Sequence, residues 1–150
     1  MKKLLIILLA SVALIGCKKS EDIHFDKTAS EGIAGTYTGT WMRVLDTDTV
    51  SGEGSITFVA TDQPNVATIT ATCANPAIDR TGIVNVVHSD YEYVFYNNSA
   101  KPEAGFGAKF SGRVYKDGSA DMQYTVEEKV GRFTNTYNFS FKGTKQNTPN

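Results

Sequence analysis

The chain has 150 residues, with 15 basic and 16 acidic side chains, a formal charge of −1 and two cysteines. That length suits one domain rather than two. The balanced charge, with no basic stripe, excludes nucleic acid as a partner, and two cysteines are too few for a disulfide framework.

Met1-Lys2-Lys3 is a short positive start, and Leu4 to Ile15 is an apolar run interrupted only by Ser11. Such a run is too short to span a bilayer, which takes roughly 20 apolar residues, and reads as a secretory signal peptide. Its end, Leu14-Ile15-Gly16-Cys17, resembles the lipobox of bacterial lipoproteins: Leu at −3, Gly at −1 and Cys at +1. The resemblance implies that residues 1–16 are removed and that Cys17, acylated with palmitate-like chains, becomes the N-terminus. Two or more acyl chains, each contributing about 0.8 kcal/mol per buried CH₂, make release slow. Lys18 follows where an Asp would retain such a protein at the inner membrane, which implies the cell outer membrane. Lys18-Lys19-Ser20-Glu21-Asp22 is similar to the charged tags that, in one Gram-negative phylum, carry lipoproteins to the surface.

Without Lys2 and Lys3 the balance is 13 basic to 16 acidic residues. Once Cys17 is acylated only Cys73 remains, so no internal disulfide can form and Cys73 reads as a small buried hydrophobe. Residues 17–31 are polar and without periodicity, a flexible tether. His24 lies in it with no second ligand nearby.

From Gly32 to Gly143 the chain reads as strands, rich in Thr, Val, Tyr and Phe with a turn every 10 to 14 positions. The expected strands are 34–45, 54–60, 66–74, 81–88, 91–96, 105–115, 120–129 and 132–142. Asp46 to Gly52 is expected as a polar turn and Asn97 to Ala104 as a loop. Lys116-Asp117-Gly118-Ser119 is expected as a type I′ hairpin turn. Residues 144–150 are a disordered tail, and no helical window is evident. Alternation is clearest where Ala120, Met122, Tyr124 and Val126 oppose Asp121, Gln123, Thr125 and Glu127, and where Phe133, Tyr137, Phe139 and Phe141 oppose Thr134, Thr136, Asn138 and Ser140. Eight strands in simple succession predict an all-β, antiparallel up-and-down barrel, because closure removes exposed edges. A two-sheet β-sandwich is the alternative.

Gly32-Ile33-Ala34-Gly35-Thr36-Tyr37-Thr38-Gly39-Thr40-Trp41 resembles the opening of lipocalin-like and calycin-like bacterial lipoproteins, whose first strand begins G-x-W. Two registers overlap: Gly35-x-Tyr37 at the expected start and Gly39-x-Trp41 four residues later. The resemblance implies a Trp41 that closes the barrel floor against a basic residue of the last strand, Arg132 being the candidate. It also implies a pocket for one small ligand, with Trp41, Phe110, Met122, Tyr124, Tyr137 and Phe139 as candidate lining residues. Large inward groups mixed with small ones (Ala108, Gly112, Ala120) leave either a pocket or a solid core.

Catalytic chemistry is absent from the pattern. His88-Ser89-Asp90 has triad residue types, but neighbours on an extended chain point apart. Asp46-Thr47-Asp48 with Glu53 lacks the regular oxygens and central Gly of a calcium loop. Glu127 and Glu128 fall on opposite faces of a strand. There is no metal-ligand cluster, phosphate loop or nucleophile elbow, so neither an enzyme nor a cofactor is expected. Tyr91, Tyr93 and Phe95 share one face, expected inward. Asp48-Thr49-Val50 is similar to the O-glycosylation acceptor of the same phylum, at Thr49. The expectation is a membrane-anchored binder of a small apolar or amphipathic ligand. The alternative is a surface module that binds a protein or glycan through its loops.

Overall fold

The computed structural model describes residues 28–97, 105–107 and 109–147. Cys17, the lipobox, His24, Ala108 and the tail from residue 148 lie outside them. Eight strands, β1 (Gly35–Leu45), β2 (Asp48–Ala60), β3 (Val66–Cys73), β4 (Ile78–His88), β5 (Glu92–Asn97), β6 (Ser111–Tyr115), β7 (Ser119–Val130) and β8 (Phe133–Lys145), follow a short helix, α1 (Ala29–Ile33). Each strand pairs antiparallel with the next, and β1 closes on β8 from Tyr37↔Lys145 to Val44↔Asn138. The expected closed up-and-down barrel is the fold; the sandwich is not.

Closure follows from the alternation. One face of every strand supplies the buried set, including Tyr37, Trp41, Ile56, Phe58, Ile69, Val84, Phe95, Met122, Tyr124 and Phe141. Burial of these groups, at about 25 cal/mol per Å² of apolar surface, is the main force holding the sheet curled. Threonines and serines on the other face pair across strands, as in Thr36 with Thr57 at 3.0 Å and Ser55 with Thr72 at 3.0 Å.

Several local expectations are corrected. A helical turn, α1, occupies the end of the expected tether. Its capping box is made by Thr28, whose Oγ1 accepts from Glu31 N–H at 3.3 Å while Glu31 Oε2 accepts from Thr28 N–H at 2.8 Å. Asp46 to Gly52 is not one long turn: β2 begins at Asp48. β4 begins earlier, at Ile78, and β6 later, at Ser111. β8 runs on to Lys145 and Gln146 N–H donates to Thr36 O, so the barrel continues into the expected tail. The β6–β7 connection is not type I′. Only Gly118 has a positive φ, 85°, behind a Tyr115–Gly118 turn bond of 3.0 Å, which is the pattern of a turn followed by a left-handed bulge residue.

The two ends of the barrel differ. At one end α1 lies across the opening with Ile33 buried, and Tyr37 donates its hydroxyl to Ile33 O at 2.9 Å. Lys145 of β8 stands 5.6 Å from the Tyr37 ring centroid. The floor is therefore closed by Tyr37 and Lys145, in the Gly35-x-Tyr37 register. Trp41 and Arg132 do not meet: Trp41 pairs with Phe141, and Arg132 sits exposed in the β7–β8 turn.

Candidate functional site

The opposite end is built from two long hairpins. β2 pairs with β3 only from Gly54 onward, and β7 pairs with β6 only as far as Gln123. Asp48–Glu53 and Tyr124–Val130 are thus held on one side alone, by β1 and β8. The strands β2, β1, β8 and β7 rise together as a curved flap beyond the closed part of the barrel. No register break occurs along it, so the inward face continues onto Arg43, Leu45, Val50, Val126, Val130, Phe133 and Tyr137, with the polar Asp48, Glu128 and Asn135 on the same face. Those nearest the barrel are half-buried; Val130 and Phe133, paired at the tip, are 52% and 79% exposed.

Below the flap the barrel is filled. Ring contacts run from the floor upward: Tyr37 to Phe58 (5.9 Å between centroids), Phe58 to Phe95 (4.8 Å), Phe95 to Phe110 (5.7 Å) and Phe110 to Phe106 (4.8 Å). Phe106 meets Tyr124 edge-on at 5.3 Å, Tyr124 stacks on Phe139 at 4.6 Å, and Trp41 packs on Phe141 at 5.0 Å. Phe106 and Phe110 belong to the β5–β6 connection, so a loop contributes the last layer of the core. Two side chains hold that loop: Arg80 Nη1 donates to Gly105 O, and Asn97 Nδ2 donates to Gly107 O. Grooves also run along the outer wall; one of about 380 Å³, along Met42, Gln123, Thr125 and Asn138, reaches Tyr124 and Phe139 of the top layer.

The top layer contains polar atoms that the fold leaves without partners. Trp41 Nε1, Tyr124 Oη and Arg43 Nε are buried and make no hydrogen bond among the described residues. They surround the Tyr124–Phe139 stack. Trp41 lies 6.1 Å from the Tyr124 ring, Arg43 is the cross-strand neighbour of Phe139, and the Arg80 guanidinium lies 5.5 Å from the Tyr124 centroid. Arg43 also covers the Tyr137 ring at 5.7 Å. A Cβ on Gly54 would stand 2.7 Å from Trp41 Cδ1 and 2.9 Å from Cys73 Cβ, so that glycine makes room for the indole edge beside Cys73. Neither guanidinium is paired with a carboxylate among the described residues. Burial pushes the Tyr124 hydroxyl up to about 12, with the Arg80 charge offsetting part of the rise.

Of the expected lining residues, Trp41, Phe110, Met122 and Tyr124 are fully buried in the top of the core, while Tyr137 and Phe139 are half-buried at its rim. Trp41, Tyr124 and Phe139 come together in ring contact, Phe110 joins them through Phe106 and Tyr137 through Arg43, while Met122 is the cross-strand neighbour of Phe141. Arg43, Arg80 and Phe106 belong to the same cluster and were not among the expected residues. Cys73 is buried, its Sγ 3.4 Å from Glu53 O. Tyr91, Tyr93 and Phe95 do not share one fate: Phe95 is core, Tyr93 half-buried, and Tyr91, in the turn, 80% exposed. Glu53 accepts from Thr40 at 2.9 Å, and no group of three His, Cys, Asp or Glu side chains gathers among the described residues. Thr49 stands exposed at the base of the β1–β2 turn.

Comparison with protein-family models, with curated proteins and with solved structures finds no match for this chain.

Proposed function

We propose that this protein is a lipid-anchored, non-enzymatic barrel at the outer membrane that binds one small amphipathic molecule. The ligand lies in the trough between the flap and the top of the filled core, rather than deep inside. The observation that carries the reading is a run of apolar side chains on the inner sheet face, half-buried at Leu45, Val126 and Tyr137 and exposed at Val130 and Phe133, above a layer of buried polar atoms without partners among the described residues. An apolar wall beside a few convergent polar groups is the make-up of a small-molecule site. Uncovered apolar surface rimmed by polar residues also marks contact sites.

Trp41 is the sole tryptophan, so its fluorescence reports on the floor of this trough. Titration of the full chain in amphipol with 2-bromo-undecanoate and 2-bromo-undecanol, whose bromine lies beside the polar end, is expected to give saturable heavy-atom quenching. Strictly linear quenching by both would sink the small-ligand reading. The highly exposed Phe133 would then favour a protein or glycan partner on the same flap.

A further inference from the structure

Resting on that reading of the trough, we infer that the ligand carries an oxyanion head, carboxylate or phosphate, on an apolar tail, and that Trp41, Arg43, Arg80 and Tyr124 receive the head. The argument begins with the sign of the unpartnered groups. An indole N–H and a guanidinium N–H can only donate, and a phenol can donate. Every atom left unsatisfied at the top of the core is therefore a donor or able to act as one. A buried donor without an acceptor costs free energy that a ligand oxygen restores.

Charge narrows the class further. Arg43 and Arg80 approach the Tyr124–Phe139 stack from β1 and β4, each over an aromatic ring. No carboxylate among the described residues is paired with either. A neutral acceptor would satisfy the donors and leave two positive charges in a half-dry setting, whereas an oxyanion answers both. Hydrogen bonds to an ionised acceptor are roughly twice as strong as neutral ones, and a guanidinium fork matches an oxyanion's geometry. The tail then follows the apolar side chains of the flap's inner face, Val126, Leu45 and Tyr137, toward Val130 and Phe133 at its tip.

The test compares probes that share a tail, carry the bromine beside the head and differ in that head: 2-bromo-undecanoate, 2-bromo-undecyl phosphate, 2-bromo-undecanol and the 2-bromo-undecyl trimethylammonium ion. Each is read by Trp41 quenching in the full chain. Both anions are expected to bind at least about tenfold more tightly than the alcohol, with the cation weakest. Arg43→Met with Arg80→Met should remove the preference while the alcohol still binds. Arg80→Lys, which keeps the charge, should retain most of it. Tyr124→Phe should weaken both anions by a larger factor than the alcohol.

If all four probes bind equally, the head-group inference is overturned and the small-ligand reading survives. If none binds saturably, that reading falls first. Anion preference that persists in the double arginine variant would move the head-group site elsewhere. Acetate or inorganic phosphate competing as well as the tailed anions would overturn the assignment of the tail to the flap.

Discussion

Tyr124 buries a hydroxyl that has no well-formed hydrogen bond among the described residues, with the Arg80 guanidinium beside its ring. A buried polar group left unsatisfied costs about 1–3 kcal/mol. Tyr124→Phe is therefore expected to raise the stability of the ligand-free protein by about 1 kcal/mol in urea unfolding; a loss of that size would mean that a buried water satisfies the hydroxyl. The same variant has an alkaline signature. Burial raises both Tyr37 and Tyr124 from 10 to about 12, with Tyr93 adding to the effect on Tyr37 and Arg80 opposing it on Tyr124. The unfolded chain releases these protons first, so their stabilisation is complete below pH 10 and is lost as pH rises toward 12. Tyr124→Phe should shift alkaline unfolding to higher pH. Tyr37→Phe removes the same penalty but also the bond to Ile33 O, and should lower stability at neutral pH.

Among the elements, α1 is the smallest and the most dependent on its cap. Five residues cannot hold a helix by propensity. Thr28 and Glu31 supply the reciprocal bonds, Ser30 N–H donates to Pro64 O at 3.0 Å, and Ala29 and Ile33 are buried. Thr28→Ala should cost about 1 kcal/mol, read as a fall of a few degrees in Tm by circular dichroism. An unchanged Tm would show that packing of Ile33 alone seats the floor. Thr28-x-x-Glu31 is legible in the sequence as a capping signature, and the absence of a periodic apolar run behind it is why no helix is expected there. The strands were legible where both faces obey the barrel, as in Met122 and Tyr124 against Gln123 and Thr125. They were not where the chain leaves it. Asp48-Thr49-Val50-Ser51-Gly52 looks like a turn because this part of β2 has a neighbour on one side only and little core to face. Arg43 and Arg80 interrupt the inward apolar sequence, which hides the feature that makes them interesting. Phe106 carries no periodicity because it acts from a loop.

The whole molecule combines a barrel that is closed by strand pairing with an N-terminal segment whose motif implies attachment. Order of strands, closure and the inward aromatic set followed from alternation and from the avoidance of free edges. Occupation of the interior did not, because ring contacts between distant strands, such as Phe58 with Phe95 and Tyr124 with Phe139, have no signature in local spacing. Attachment through Cys17 is tested directly. The native chain is expected to incorporate labelled palmitate and to partition with the outer membrane, and Cys17→Ser to lose both. Labelled lipid retained in Cys17→Ser would refute the lipobox reading.

The position of α1 gives such attachment a direction. The chain enters the barrel at Thr28, beside the floor, and the flap occupies the other pole. Ten residues separate Cys17 from Thr28, and the eleven steps reach at most about 40 Å at 3.3–3.6 Å each. Under the proposed attachment, a molecule moored by its floor would meet the bilayer with its base and turn its mouth to the water. Its cargo would then be exchanged with the surroundings, or with another protein, rather than drawn straight from the leaflet to which it is fixed.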